Sequence, residues 1–291
     1  MTATRSRTLG PGERQSPDPS EPAAVILRSD RDHSATKKFP VSPGGGLRNG
    51  STPTVLLVHG EFADGSMWAG VIAELQGAGI GVTAPANPLR GLLYDAGYIA
   101  SVAGAIDGPV LLAGHSYGGA VITAAGSAAG NIVGLVYVTA FALDEDESVL
   151  DICGRFPATQ LVSALRPATF PDINGDAGVE LYLDREAFPQ VFAADLAHRA
   201  AAAAAAAQRP VTAAAFEEKS PSAAWKTTPS WYLIATADRL IPPDAQRFMA
   251  SRAGARTAEI RASHAVALTQ PAPVAEQIAA AARSARAPGT A

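Results

Sequence analysis

The 291-residue chain carries a single cysteine, Cys153. One thiol excludes an intramolecular disulfide framework and a thiolate metal cluster, and it reads as a small apolar residue, buried or half-buried, rather than a redox centre. Excess positive charge is also missing. The chain has 23 Lys/Arg against 27 Asp/Glu, a net charge of −4, so there is no electrostatic case for nucleic acid or an anionic membrane as partner. No apolar run approaches the roughly 18 residues of a membrane helix. The apolar stretch at 23–27 is too short for a signal-peptide core and has no cleavage pattern behind it. A cytoplasmic protein is expected, and a homodimer is compatible with the sequence. What the chain does have is a 47% hydrophobic fraction, enough for one large α/β domain with an inserted subdomain.

Composition divides the chain. Residues 1–50 are rich in Pro, Ser and Gly, with eight Lys/Arg against five Asp/Glu up to residue 49, which leaves about −7 on the rest. They read as a flexible arm, with an edge strand at 23–27 as its only structured option. From Pro53 onward, short apolar runs alternate with helical patches: Thr54–Val58, Gly81–Pro85, Pro109–Ala113, Ile132–Val138, Ser230–Ala235 and Thr257–Ile260 as strands, with helices near 66–79, 92–106, 243–252 and 271–283 between or after them. Strands that are apolar throughout, separated by helices, predict a mostly parallel sheet covered on both faces. The pattern breaks once. Residues 141–228 lack strand periodicity and contain helical patches, including 185–196 and the alanine run 200–207. The expected organisation is therefore a core of 51–140 and 229–291, interrupted by a helical cap at 141–228.

The chemistry centres on Gly114-His115-Ser116-Tyr117-Gly118-Gly119. An apolar strand precedes it and an alanine-rich helix follows, the context of a nucleophile elbow: a strand-to-helix turn that presents the serine hydroxyl, with glycines leaving room for strand and helix to approach. A serine needs a base, and the base needs a carboxylate. In this architecture they follow in the order Ser, acid, His, each after a strand. Asp238 follows the strand at 230–235, and His264 follows the last strand. Asp144, in the acidic run 144–147, is the rival acid and reads better as a solvated loop. Of the other histidines, His59 and His115 suit structural hydrogen bonds at turns, and His198 suits the cap surface. The backbone N–H groups of Tyr117 and Glu61 are placed to meet a developing oxyanion. The direction of the Glu61 carboxyl is not decided by the sequence.

These residues carry a resemblance. His59-Gly60, Gly114-x-Ser116-x-Gly118, the 238–242 segment and Ser263-His264 together resemble the α/β-hydrolase superfamily over about 53–287. Within it, the small-capped group of plant methyl-ester esterases and hydroxynitrile lyases is most similar. The resemblance implies an α/β-hydrolase fold, a cofactor-free and metal-free hydrolase, a Ser116–His264–Asp238 triad and an apolar pocket under the cap. The lyases place threonine where Gly60 stands and lysine where Ala265 stands, which disfavours cyanohydrin cleavage here. Relatives with an aspartate nucleophile differ at Ser116, so acyl chemistry is favoured. By position, Phe62, Leu240 and Val266 flank the triad, and Phe188 and Trp225 are candidates for the roof. The expected function is a serine carboxylesterase acting on small esters or lactones. The alternatives are perhydrolysis, acyl transfer or C–C cleavage by the same triad, and a non-catalytic small-molecule receptor.

Overall fold

The computed structural model describes residues 52–172 and 175–285. The arm at 1–50 and the edge strand expected at 23–27 lie outside the described residues. The core begins with β1 (Thr54–Val58), a 3₁₀ turn, α1 (Ala69–Gly77), β2 (Val82–Thr83), α2 (Leu92–Gly104), β3 (Val110–Ser116), α3 (Tyr117–Ala125) and β4 (Ile132–Ala140). The cap follows, with α4 (Val149–Arg155), α5 (Leu161–Ala164), β5 (Leu165–Pro171), β6 (Ala177–Leu183), α6 (Phe188–Val191), α7 (His198–Ala207), β7 (Val211–Thr212) and α8 (Ala213–Glu217). The chain then returns to the core as β8 (Ser230–Ala235), α9 (Pro243–Arg252), β9 (Arg256–Ile260), α10 (Val266–Thr269) and α11 (Pro271–Ser284).

The six core strands pair in the order β2-β1-β3-β4-β8-β9, and every pairing is parallel. Alternate residues of the four inner strands β1, β3, β4 and β8 feed opposite layers. Leu56, Val58, Leu112, Tyr137 and Ile234 enter the layer shared with α2, α3, α9 and the cap, while Val55, Leu57, Leu111, Val136 and Leu233 enter the layer under α1 and α11. Two buried faces explain why these strands are apolar without alternation. Ser116 ends β3, and Asp238 and His264 follow the C-terminal ends of β8 and β9, so all three lie at the sheet edge where α/β proteins assemble their sites.

The cap departs from expectation. Beside its helices it carries a three-stranded antiparallel sheet, β5-β6-β7. Pro167 and Pro171 argue against a strand, since proline cannot donate to a ladder. Yet β5 is an edge strand and largely exposed, the one place where proline is tolerated. The helix expected at 185–196 shortens to the single turn of α6, while the alanine run forms α7 as expected. Cys153, expected buried or half-buried, is exposed on α4. Among the described residues no helix is long and apolar enough to cross a membrane.

The candidate active site

Ser116 is the last residue of β3 and the N-cap of α3, with φ 52° and ψ −125°. A non-glycine residue in that region is strained and persists only where its surroundings force it. The forcing is visible in the packing. A Cβ on Gly114 would meet the Gly118 carbonyl oxygen, and one on Gly118 would meet the Val58 carbonyl oxygen. Both obstacles are backbone and cannot yield by a rotamer change. Gly118→Ala is therefore expected to destabilise the fold by about 3 kcal/mol, a fall in melting temperature of roughly 6–12 °C for a domain of this size. Thermal unfolding followed by circular dichroism checks it.

The serine hydroxyl lies 2.8 Å from His264 Nε2, and His264 Nδ1 lies 2.8 Å from Asp238 Oδ2. The three therefore form one continuous chain, with Ser116 and His264 0% exposed and Asp238 5%. Asp238 is held on all sides. Its Oδ1 accepts from the N–H groups of Leu240 (2.7 Å) and Ile241 (3.0 Å). Its Oδ2 accepts from the Gln246 amide (2.9 Å) and the Thr139 hydroxyl as well as His264. Thr139 has φ 42°, a left-handed conformation rare for a β-branched residue, and it aims its hydroxyl at the acid. Asp144, the rival acid, pairs instead with Lys226.

The remaining histidines have other duties. His115 Nε2 donates to the carbonyl of His264 (2.8 Å), and its ring packs against Trp68, Phe192 and His264. Burial holds His115 well below the ordinary histidine range, so the ring is neutral. His59 Nδ1 donates to Gly60 O (2.9 Å), and its Nε2 accepts from the Asn87 N–H (2.9 Å). Burial lowers its pKa to about 4. A base that is neutral in the fold but titrates near 6.5 when unfolded stabilises the fold above pH 6.5, and that stability is lost as pH falls toward 4. The expected loss is about 3 kcal/mol. Buried Asp95, raised by desolvation to about 6, has the opposite slope, because its protonated form is favoured in the fold as pH falls through 6. Urea unfolding of the native chain and of His59→Gln between pH 7 and 4 separates the two, because only the native chain should show the His59 loss. His198 is exposed at the start of α7.

Glu61 is where the sequence left most open. It is 1% exposed, and its carboxyl turns inward. Oε2 accepts the Tyr117 N–H at 3.0 Å. Oε1 is buried without a hydrogen-bond partner. Desolvation raises the Glu61 pKa, against the pull of His264 and of the Tyr117 N–H.

Two cavities flank this cluster, and neither is lined by Ser116 or His264. One of about 450 Å³ is walled by Phe62, Phe188, Phe192 and the alanines of α7. The other, about 90 Å³, is walled by Phe141, Ile152, Phe156, Leu240 and Ile241. Of the residues expected to line a pocket, Phe62 and Phe188 wall the larger cavity and Leu240 the smaller. Phe192 stacks on Phe188 (4.8 Å between ring centres) and meets the His264 ring edge-on at 5.0 Å, sealing the histidine. Two pocket expectations need correction. Val266 begins α10 and points into the layer beneath α1 and α11. Trp225 donates its Nε1–H to Leu143 O at 2.8 Å and lies against the Arg252 guanidinium, so it braces the cap base rather than roofing the site. Thr139 and Gln246 were not singled out by sequence reasoning, because neither carries a local signal; only the fold brings them to Asp238.

The alpha/beta hydrolase family profile matches residues 55–277. Among solved structures, the chain is similar to a pyrethroid hydrolase from Sphingobium faniae JZ-2, with 21% identity over 80% of this chain and 98% of that one and a TM-score of 0.67. It is also similar to polyneuridine aldehyde esterase, with 20% identity over 79% and 99% of the two chains and a TM-score of 0.69. A methylesterase from Arabidopsis aligns at 14% identity over 79% and 98%, with a TM-score of 0.63. No curated protein sequence matches the chain.

Proposed function

Because the chain belongs to the α/β-hydrolase family, we propose that it is a serine carboxylesterase that cleaves small esters or lactones through an acyl-enzyme on Ser116. The observation that carries this reading is the unbroken chain Ser116 Oγ–His264 Nε2–Asp238 Oδ2, with both links at 2.8 Å. His264 Nε2 takes the serine proton as Oγ attacks the acyl carbon, and returns it to the departing alkoxide. Asp238 holds Nδ1–H, fixes the tautomer and stabilises the imidazolium. Water then repeats the sequence on the acyl-enzyme and releases the acid. The negative charge on the acyl oxygen develops beside the N–H of Tyr117, at the N-terminus of α3, where the helix dipole adds to the hydrogen bond.

The substrate class follows from the walls. Phe62, Phe188, Phe192, Leu240 and Ile241 offer apolar contact and no cation, so an uncharged aliphatic or aromatic acyl or alcohol part fits best. Esterases and a pyrethroid hydrolase with the same fold support an ester as the substrate. A Cβ at Gly60 would come within 2.6 Å of the Ser116 Cβ, so the threonine that hydroxynitrile lyases carry there has no room beside the serine. Cyanohydrin cleavage is disfavoured on that ground.

The test is reaction with a fluorophosphonate probe followed by peptide mass spectrometry. A single adduct on Ser116 that disappears in His264→Ala is expected. Undiminished labelling in His264→Ala, or an adduct on a different residue, overturns the assignment.

A further inference from the structure

The subsite that should receive the substrate's acyl oxygen is already full. The Tyr117 N–H, the donor at the head of α3, is taken by Glu61 Oε2 at 3.0 Å. The Ser116 hydroxyl, on the residue before that donor, keeps its hydrogen bond to His264 Nε2 at 2.8 Å. The Glu61 carboxyl thus sits on the backbone N–H that directly follows the nucleophile. That is the arrangement a carboxylic acid product, or an acyl group in reaction, would adopt there. The side chain is 1% exposed, and its other oxygen, Oε1, is buried without a partner. A buried polar atom left unpaired costs stability, so core packing gives no reason for the group to be there.

Resting on the serine-hydrolase reading, we propose that Glu61 is a specificity-determining residue: its carboxyl occupies the oxyanion subsite, and an ester reaches Ser116 only by displacing it. Three physical consequences follow. The Glu61 carboxyl is tethered beside the Tyr117 N–H, and in its ionised form its hydrogen bond there is roughly twice as strong as one to a neutral carbonyl, so a plain ester competes poorly for that donor. The site is closed at rest, which fits a serine and a histidine that line neither cavity. And the substrates that react best are those whose remaining contacts, with the Phe62–Phe188–Phe192 wall or the Leu240–Ile241 wall, offset the displacement. Selection then acts on the size and apolarity of the parts away from the ester, because those parts supply the binding energy.

The experiment compares the native protein, Glu61→Ala and the isosteric Glu61→Gln. The readouts are the second-order rate of fluorophosphonate labelling, kcat/KM on a short p-nitrophenyl ester, and melting temperature. Emptying the subsite should raise both rates, by about tenfold or more in Glu61→Ala, the difference expected between hydrogen bonds to charged and to neutral acceptors. Glu61→Gln should lie between the two, since the amide still fills the space but binds the donor more weakly. The melting temperature shows only that each variant is folded, because Glu61→Ala removes the unpaired Oε1 but also leaves the Tyr117 N–H to water in the emptied space. If Glu61→Ala fails to fold, Glu61→Gln decides alone. Rates unchanged or lowered in variants that melt like the native protein overturn the proposal and leave the serine-hydrolase reading standing. No labelling of Ser116 in any of the three overturns the serine-hydrolase reading itself, and this inference with it.

Discussion

Ser116→Ala should lower kcat on a small ester by about a million-fold, leaving a residue of roughly a thousand-fold over water from the subsite and binding alone. The size of the effect comes from the division of labour in the triad. His264 Nε2 has one partner to deprotonate, the hydroxyl at 2.8 Å. Without it the imidazole can only activate water, and no acyl-enzyme forms. His264→Ala should cost a similar factor, and the double variant little more than either alone, because residues that act as a unit do not lose activity additively. Steady-state turnover of a p-nitrophenyl ester by the three variants measures this. The fold should survive the serine change: the φ of 52° is imposed by the close approach of β3, α3 and β1 around Gly114 and Gly118, not by the hydroxyl. A loss below about a hundred-fold, in protein that melts normally, would mean that a different group carries the nucleophilic step.

That packing was largely legible beforehand. Glycines two residues before and two after a serine, between an apolar strand and an apolar helix, have one physical use, and β3 and α3 form around them. The sheet was legible for the same reason: strands buried on both faces announce themselves as continuous apolar runs. The cap was less so. Its edge strand β5 contains two prolines and leans on solvent, so its periodicity is weak, and only pairing with β6 makes it a strand. The site divides in a similar way. Ser116, Asp238 and His264 sit at strand ends, where sequence order and topology coincide. Thr139 and Gln246 reach Asp238 from 99 and 8 residues away, and no local pattern marks either. Glu61 shows the limit most sharply. The direction of a side chain at a turn depends on which donors the fold leaves open, and here the donor that the Glu61 carboxyl meets is the Tyr117 N–H at the head of α3.

Asp238→Asn should cost about ten-thousand-fold in kcat, with a smaller change in KM, and should also destabilise the protein, because the carboxylate has no spare direction. Its two oxygens accept five hydrogen bonds: two backbone N–H groups on Oδ1, and Thr139, Gln246 and His264 on Oδ2. An asparagine must put an NH₂ on one side. Facing Leu240 and Ile241, it sets donor against donor and orphans two buried N–H groups. Facing the other way, it confronts the Gln246 amide and turns His264 into the tautomer whose Nε2 carries the proton, which cannot deprotonate Ser116. Each orphaned donor costs about 1–3 kcal/mol, so urea unfolding should show a loss of at least about 2 kcal/mol beside the kinetic effect. Thr139→Val removes one donor to the same oxygen without reversing any, so it should be milder on both counts, on the order of tenfold in kcat and about 1 kcal/mol in stability. The ranking discriminates between explanations. If Asp238 merely capped the start of α9, asparagine would serve nearly as well as aspartate and turnover would hardly change; if it orients and charges the imidazole partner, the neutral isostere must fail even where the chain still folds.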